Sequence, residues 1–268
     1  MILSRLAQGY EHYANPFQML MQRLLGERLT IFNVKDRASG VACWCTSASH
    51  QMFSEIWFYK NYDIPRLTLK PGDVVLDVGA NQGIYSCYAA FHGARVIAFE
   101  PHPQSLAILQ RNLERNGLTQ LVEPRRQAVG AKSGRVEFYV TPAFGGVLNT
   151  TSKVYASHFD HVKSEPVECV TLAEILKNEE LERVRLCKLD CEGAELEILQ
   201  GLDVGEASRI DGFAIEYHPE AYPVVELIDC ILAWETHDLM FAAAKGAAAI
   251  SFVYAIAKSA LREIASSI

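Results

Sequence analysis

Long apolar runs are missing from this chain of 268 residues. The most hydrophobic stretch, Gly246 to Ala257, has 12 residues. That is too short to cross a bilayer as a helix, so no membrane partner is expected. A basic excess is missing too. The 25 Lys and Arg are outnumbered by 32 Asp and Glu, for a net charge of −7, and Arg125-Arg126 is too small a basic run to hold a phosphate backbone. No nucleic-acid partner is expected on that balance. Paired C-x-x-C blocks are absent. The seven cysteines are odd in number, and Cys43-x-Cys45 and Cys187-x-x-x-Cys191 do not have zinc spacing. They read as reduced core thiols of a cytoplasmic protein. No charged-then-apolar leader opens the chain, and no internal repeat appears. With half the residues hydrophobic and 21% charged, wholesale disorder is excluded.

What is present falls into two parts. In residues 1–69, Phe17, Leu20, Met21, Leu24 and Leu25 have helical spacing over residues 16–25. Two alternating runs around Ile31 and around Val41, Cys43 and Cys45 flank the turn Asp36-Arg37-Ala38-Ser39-Gly40, which predicts an antiparallel hairpin. A further helix is expected over residues 52–62. No flexible linker follows, so residues 1–69 read as a helix/hairpin cap on a main domain of residues 70–268.

From Lys70 the pattern changes. Val74 to Val78 is nearly all apolar, as in a buried parallel strand. A helix is expected from Ile84 to Phe91 and a strand from Arg95 to Phe99. Pro103 opens a second helix and Gly117 stops it. The alternation continues with strands near residues 121–128, 136–140, 184–189 and 210–217. Helices are expected after Thr171, where Thr171 and Glu174 make a capping box, at residues 194–199 and at residues 224–232. The apolar runs at residues 239–243 and 251–257 predict an antiparallel hairpin at the sheet edge. The fold class is α/β, a doubly wound and mostly parallel sheet.

The chemistry lies where strands end. Asp77-Val78-Gly79-Ala80-Asn81-Gln82-Gly83 is a strand-to-helix turn, and in a doubly wound sheet such a turn borders the ligand crevice. It lacks the G-x-G-x-x-G spacing that a pyrophosphate requires. An acid two residues before the first glycine suits a ligand bearing positive charge. Glu100 ends the next strand 21 residues after Gly79, where a carboxylate fits the two hydroxyls of a ribose. Together these features point to S-adenosylmethionine.

The segments VLDVGANQG, VIAFEP, QAVG, KLDCEGAE and IEYHP, in that order over residues 53–218, resemble the FkbM-type methyltransferases of the class I S-adenosylmethionine-dependent superfamily. The resemblance implies a seven-stranded sheet and O-methylation of small molecules, often sugars or natural products. It places Asp77, Gly79, Asn81 and Gly83, with Ala80, at the methionine end of the cofactor. Glu100, with Pro101, would lie at the ribose, Gln127 and Ala128 at the adenine, and Asp190 beside the methyl group.

Asp190 and Glu192 close one strand, and Glu216 and His218 close its expected neighbour. If both strands persist, period 2 converges these four groups over one crevice. Methyl transfer to a hydroxyl profits from a base, and His218 or Asp190 is suited to supply it. Asp190, Glu216 and His218 would also form a workable divalent-metal set, although no metal is assigned. Asn149-Thr150-Thr151-Ser152 is a polar loop that could face the acceptor. The expected partner is a small-molecule or glycosyl acceptor. An RNA or protein methyltransferase of the same fold and a non-catalytic cofactor-binding protein stay open, as does the oligomeric state, a homodimer included.

Overall fold

The computed structural model describes residues 12–14, 31–46, 49–141, 148–158, 163–243 and 249–266. The helix expected over residues 16–25 lies outside them. Ile31–Lys35 (β1) and Ala42–Thr46 (β2) form the expected antiparallel hairpin. The helix after it is shorter than expected, His50–Trp57 (α1).

Seven strands build the main sheet. They are Val74–Val78 (β3), Arg95–Phe99 (β4), Val122–Arg125 (β5), Leu186–Leu189 (β9), Gly212–Glu216 (β10), His237–Ala242 (β11) and Phe252–Ala257 (β12). Their order is β11-β12-β10-β9-β3-β4-β5, and only β12 runs against its neighbours. The chain goes outward one way from β3 and the other way from β9. The carboxyl ends of β3 and β9 therefore flank a switch point, where open sheets hold their ligands.

Alternation along the strands divides the core. Val75, Val96, Ala98 and Ala214 face one side, with Ile84–Phe91 (α2) and Pro103–Asn116 (α3). Leu76, Val78, Ile97, Phe99, Phe213 and Ile215 face the other, with Leu172–Asn178 (α5), Glu195–Gln200 (α6) and Val224–Leu232 (α8). The hairpin contributes Phe32, Val34, Cys43 and Cys45, all buried, to the first side. Its free edge is covered by two asparagines one helical turn apart on α3. The Asn112 and Asn116 amides each exchange two hydrogen bonds with β2 backbone, at Trp44 and Ala42, over 2.6–3.0 Å. They thus satisfy an edge that would otherwise template aggregation.

The structure departs from the sequence reading at further places. The run at 121–128 splits, because Ala128–Val129 (β6) leaves the main sheet. It joins Gly134–Val140 (β7) and an unforeseen strand, Lys163–Val170 (β8), in a second sheet of order β6-β8-β7. The short helices Lys153–Ala156 (α4) and Val204–Ala207 (α7) fill connections. Lys258–Ser266 (α9) follows the terminal hairpin, tied back by Arg183, which pairs with both Asp211 and Glu263. All seven cysteines are free thiols. Among the described residues no helix is long and apolar enough to cross a membrane.

Candidate active site

A cleft opens above the carboxyl ends of β3, β4 and β9. One end is lined by Glu100, Pro101, Gln127, Ala128 and Phe138, the middle by Gly79 and Asn81, and the other end by Asp190, Glu192, Glu216, Asn149 and the α1 residues Gln51 and Glu55.

The turn after β3 is shaped by close approach. Gly79 has φ +74°, and a Cβ there would lie 1.8 Å from the Asp190 carbonyl oxygen. Only glycine lets the two loops meet. Gly83, at φ +72°, caps α2 and packs on Leu109, outside the cleft wall. Gln82 is also turned inward. Its Oε1 accepts from Ser49 Oγ (2.5 Å) and Thr46 N (3.1 Å), which fastens the hairpin to the loop.

Asp77 sits elsewhere than expected. Its carboxylate is fully buried behind the cleft, accepting from Ser86 Oγ at 2.6 Å and pairing with Lys188 Nζ at 3.3 Å. It cannot touch a ligand directly, and shapes the loop instead. Ala80 too is buried and faces β4, its N–H bonded to the Phe99 carbonyl.

Glu100 ends β4 as expected. Its oxygens accept from Asn81 N (2.8 Å) and His102 N (2.7 Å). Burial pushes its carboxyl up to about 7, against the pull of those two N–H groups. Asn81, at φ +48°, keeps its own buried Oδ1 without a partner among the described residues. That is an acceptor waiting for a donor.

At the acid end, β9 stops at Leu189 and β10 at Glu216, so strand period does not align the four groups. A turn does so. Glu192 takes φ +54° and Gly193 φ +95°, where a Cβ would meet that of Ala221 at 2.6 Å. Glu195, fully buried, closes the turn by accepting from Cys191 N (2.7 Å), Gly193 N and Tyr222 Oη (3.0 Å). Asp190, Glu192 and Glu216 reach the cleft. His218 lies one layer behind, with Nε2 3.3 Å from Glu192 and Nδ1 3.2 Å from Glu195.

This corrects the reading of His218 as a free base. Burial alone would lower its pKa, but the Glu195 and Glu192 carboxylates outweigh it and hold the ring well above its usual value. Glu192 and Glu195 thus face its two ring nitrogens. The metal alternative changes membership. Asp190, Glu192 and His218 offer ligand atoms within 4.8 Å of one another, with Glu216 outside the set. A lysine on Asp190, at 3.3 Å, opposes a cation there.

Two contributors were not assigned these roles from sequence. Lys188 is buried in β9, donates to the Gly79 carbonyl at 2.8 Å and pairs with Asp190 Oδ2 at 3.3 Å. Burial disfavours its charge, but Asp190 and Asp77 outweigh that and raise its pKa. Its signal was available, as the one charged residue in an apolar strand. Tyr62, after α1, donates to Asp190 Oδ2 at 2.9 Å and lies within hydrogen-bond distance of Glu216 Oε2. No periodicity links a loop residue to an acid 128 positions away. Burial, reinforced by Asp190, pushes Glu216 up to about 8.

Known proteins are similar to this chain. The profile of the Methyltransferase FkbM domain matches residues 77–242. The hexuronic acid methyltransferase AglP of Haloferax volcanii is 31% identical over 180 residues, covering 65% of this chain and 70% of that one. The 31-O-demethyl-FK506 methyltransferase FkbM of Streptomyces tacrolimicus is 25% identical, covering 62% and 74%. A crystal structure of a methyltransferase FkbM from Methylobacillus flagellatus superposes with a TM-score of 0.50 at 15% identity, covering 90% of this chain and 59% of that one, and so shares the fold. A profile match that starts at Asp77, runs through both acid-bearing strand ends and extends into β11 means that this chain belongs to the FkbM methyltransferase family.

Proposed function

We propose that the chain is an S-adenosylmethionine-dependent O-methyltransferase acting on a hydroxyl of a small-molecule or glycosyl acceptor. The observation that carries this reading is the division of one cleft into a nucleoside-like end at Glu100 and an acid end at Asp190. The residues fit the cofactor. Glu100 has lone pairs left for two ribose hydroxyls, Gln127 and Ala128 flank the space beyond it, and the unpartnered Asn81 Oδ1 can take a donor. The N-terminus of α2 is packed against Leu109 and offers no phosphate cradle. When bound, S-adenosylmethionine supplies an activated methyl group on sulfur. Gly79 and Asn81 line its methionine end and Asp190 borders the methyl. The acceptor sits between the 149–151 loop and α1. Most of the rate comes from holding the hydroxyl in line, with Asp190 receiving its proton. Glu192 is fixed by His218 and orients the acceptor. The seven free thiols suit a cytoplasmic location.

Titration calorimetry with S-adenosylmethionine and S-adenosylhomocysteine, followed by labelled-methyl transfer to a panel of hydroxyl acceptors, tests the reading. Binding of both ligands and transfer to oxygen are expected. Tight NAD binding with no affinity for either ligand would overturn it.

A further inference from the structure

Asp190 carries its partners on one oxygen. Tyr62 Oη (2.9 Å) and Lys188 Nζ (3.3 Å) both bind Oδ2, and among the described residues nothing binds Oδ1. Tyr62 is buried and wedged between Tyr85 and Phe252, whose ring centroids lie 5.5 and 5.3 Å from its own, and Lys188 Nζ lies 5.4 Å from the Tyr62 ring centre. The phenol therefore cannot swing away. It also has only one proton, while two carboxyl groups, those of Asp190 and Glu216, lie against its oxygen. A carboxylate tethered at one oxygen by a cation and a phenol has its other lone pairs directed by that tether.

We propose that Tyr62 is a positioning residue for methyl transfer. It reaches in from the N-terminal segment and, with Lys188, turns Asp190 so that Oδ1 faces the acceptor hydroxyl, while keeping Glu216 apart from it. This rests on the O-methyltransferase reading above. In the step served, Asp190 Oδ1 takes the hydroxyl proton as the acceptor oxygen's electron pair forms the bond to the methyl carbon. The electron pair of the broken carbon–sulfur bond stays on sulfur.

The test has an arm that needs no turnover. With tyrosine labelled with ¹³C at the ring carbon bearing the hydroxyl, the Tyr62 resonance, assigned by its loss in Tyr62→Phe, should move in both Asp190→Asn and Glu216→Gln. In the transfer assay, Tyr62→Phe should lower kcat by roughly ten- to a hundredfold, a fraction of what a well-placed base contributes. KM and S-adenosylhomocysteine affinity should stay near wild type, because the ring that packs is kept. The proposal is overturned if the resonance ignores both carboxylates, if the variant turns over at the wild-type rate, or if kcat falls only together with cofactor affinity. A wild type that methylates no hydroxyl would instead sink the functional reading, and the resonance would still decide the contact.

Discussion

Lowering the pH from 8 to 6 should weaken cofactor binding about tenfold through Glu100. Its carboxyl is buried, and burial raises its pKa to about 7 despite two backbone N–H donors. Ribose hydroxyls donate to a carboxylate, so the bound form is ionised, and binding below pH 7 must expel a proton. The affinity is complete above the raised pKa and declines as the pH falls through it. About nine-tenths of Glu100 is ionised at pH 8 and about one-tenth at pH 6. The difference is about 1.4 kcal/mol, at 1.36 kcal/mol per decade. Calorimetry of S-adenosylhomocysteine at both pH values, in buffers of different ionisation enthalpy, should show the weakening and the proton release. Glu100→Gln should be weaker at pH 8 by about 1.5–3 kcal/mol, the range for a hydrogen bond to a charged group, and should lose this part of the pH dependence. The ligand's own α-amino group titrates near 8 and Glu216 lies in the same range, but both are unchanged in the variant and cancel in the comparison. A wild type with flat affinity, or a variant that keeps the full tenfold change, would refute the assignment.

Gly79→Ala should abolish cofactor binding, because its Cβ would meet backbone at 1.8 Å. Gly83→Ala should destabilise the fold by more than the about 1–2 kcal/mol of its positive φ, since its Cβ would meet Cγ of the buried Leu109 at 2.5 Å; thermal melts with calorimetry would separate the two. Deleting residues 1–50 should remove cofactor binding together with the native fold, visible by circular dichroism. The hairpin buries Phe32, Val34, Cys43 and Cys45 and holds Gln82, so survival of cofactor binding would contradict that packing. An anionic acceptor should be a poor one. The charged residues lining the described cleft are Glu55, Glu100, Asp190, Glu192 and Glu216, with no lysine or arginine, so a neutral pyranoside should exceed its matched uronate by at least about tenfold in kcat/KM, the equivalent of one unpaired buried contact.

Where local rules act alone, the fold was legible. The Thr171–Glu174 capping box is formed in full, and Gly117 ends α3 in the left-handed region. The near-continuous apolar run from Val74 to Val78 is the buried central strand it suggested. The strand β8 was not legible. Lys163 to Val170 reads KSEPVECV, with an internal proline and charges, because it lies in a small outer sheet with little core to face. Nor was the asparagine pair that seals β2 legible, since Asn112 and Asn116 look like polar positions on an amphipathic helix until the strand lies against them. Asp77 shows the same limit. A carboxylate beside a glycine turn is compatible with a ligand contact or with a buried ion pair, and the choice depends on Lys188, 111 positions later, being folded underneath it.

Charge state is the property that residue spacing carries least well. Glu216 and His218, two positions apart, suggested a base with an ordinary histidine pKa. Proximity to the cleft was right for Glu216, and the chemistry of His218 was decided by neighbours on another element. Glu195 is buried because it closes the turn after β9. It keeps its negative charge there through three kinds of donor, namely the His218 ring, backbone N–H groups and the Tyr222 hydroxyl. That charge and Glu192 face the two ring nitrogens of His218 and raise its pKa well above the usual value. In the proposed reaction the base is the acid with an open oxygen and a cation on its far side, Asp190. The same logic explains why a lysine belongs inside β9. Without Lys188, Asp77 and Asp190 would be two neighbouring carboxylates with no cation between them. With it, each of the two carboxylates has a cation 3.3 Å away.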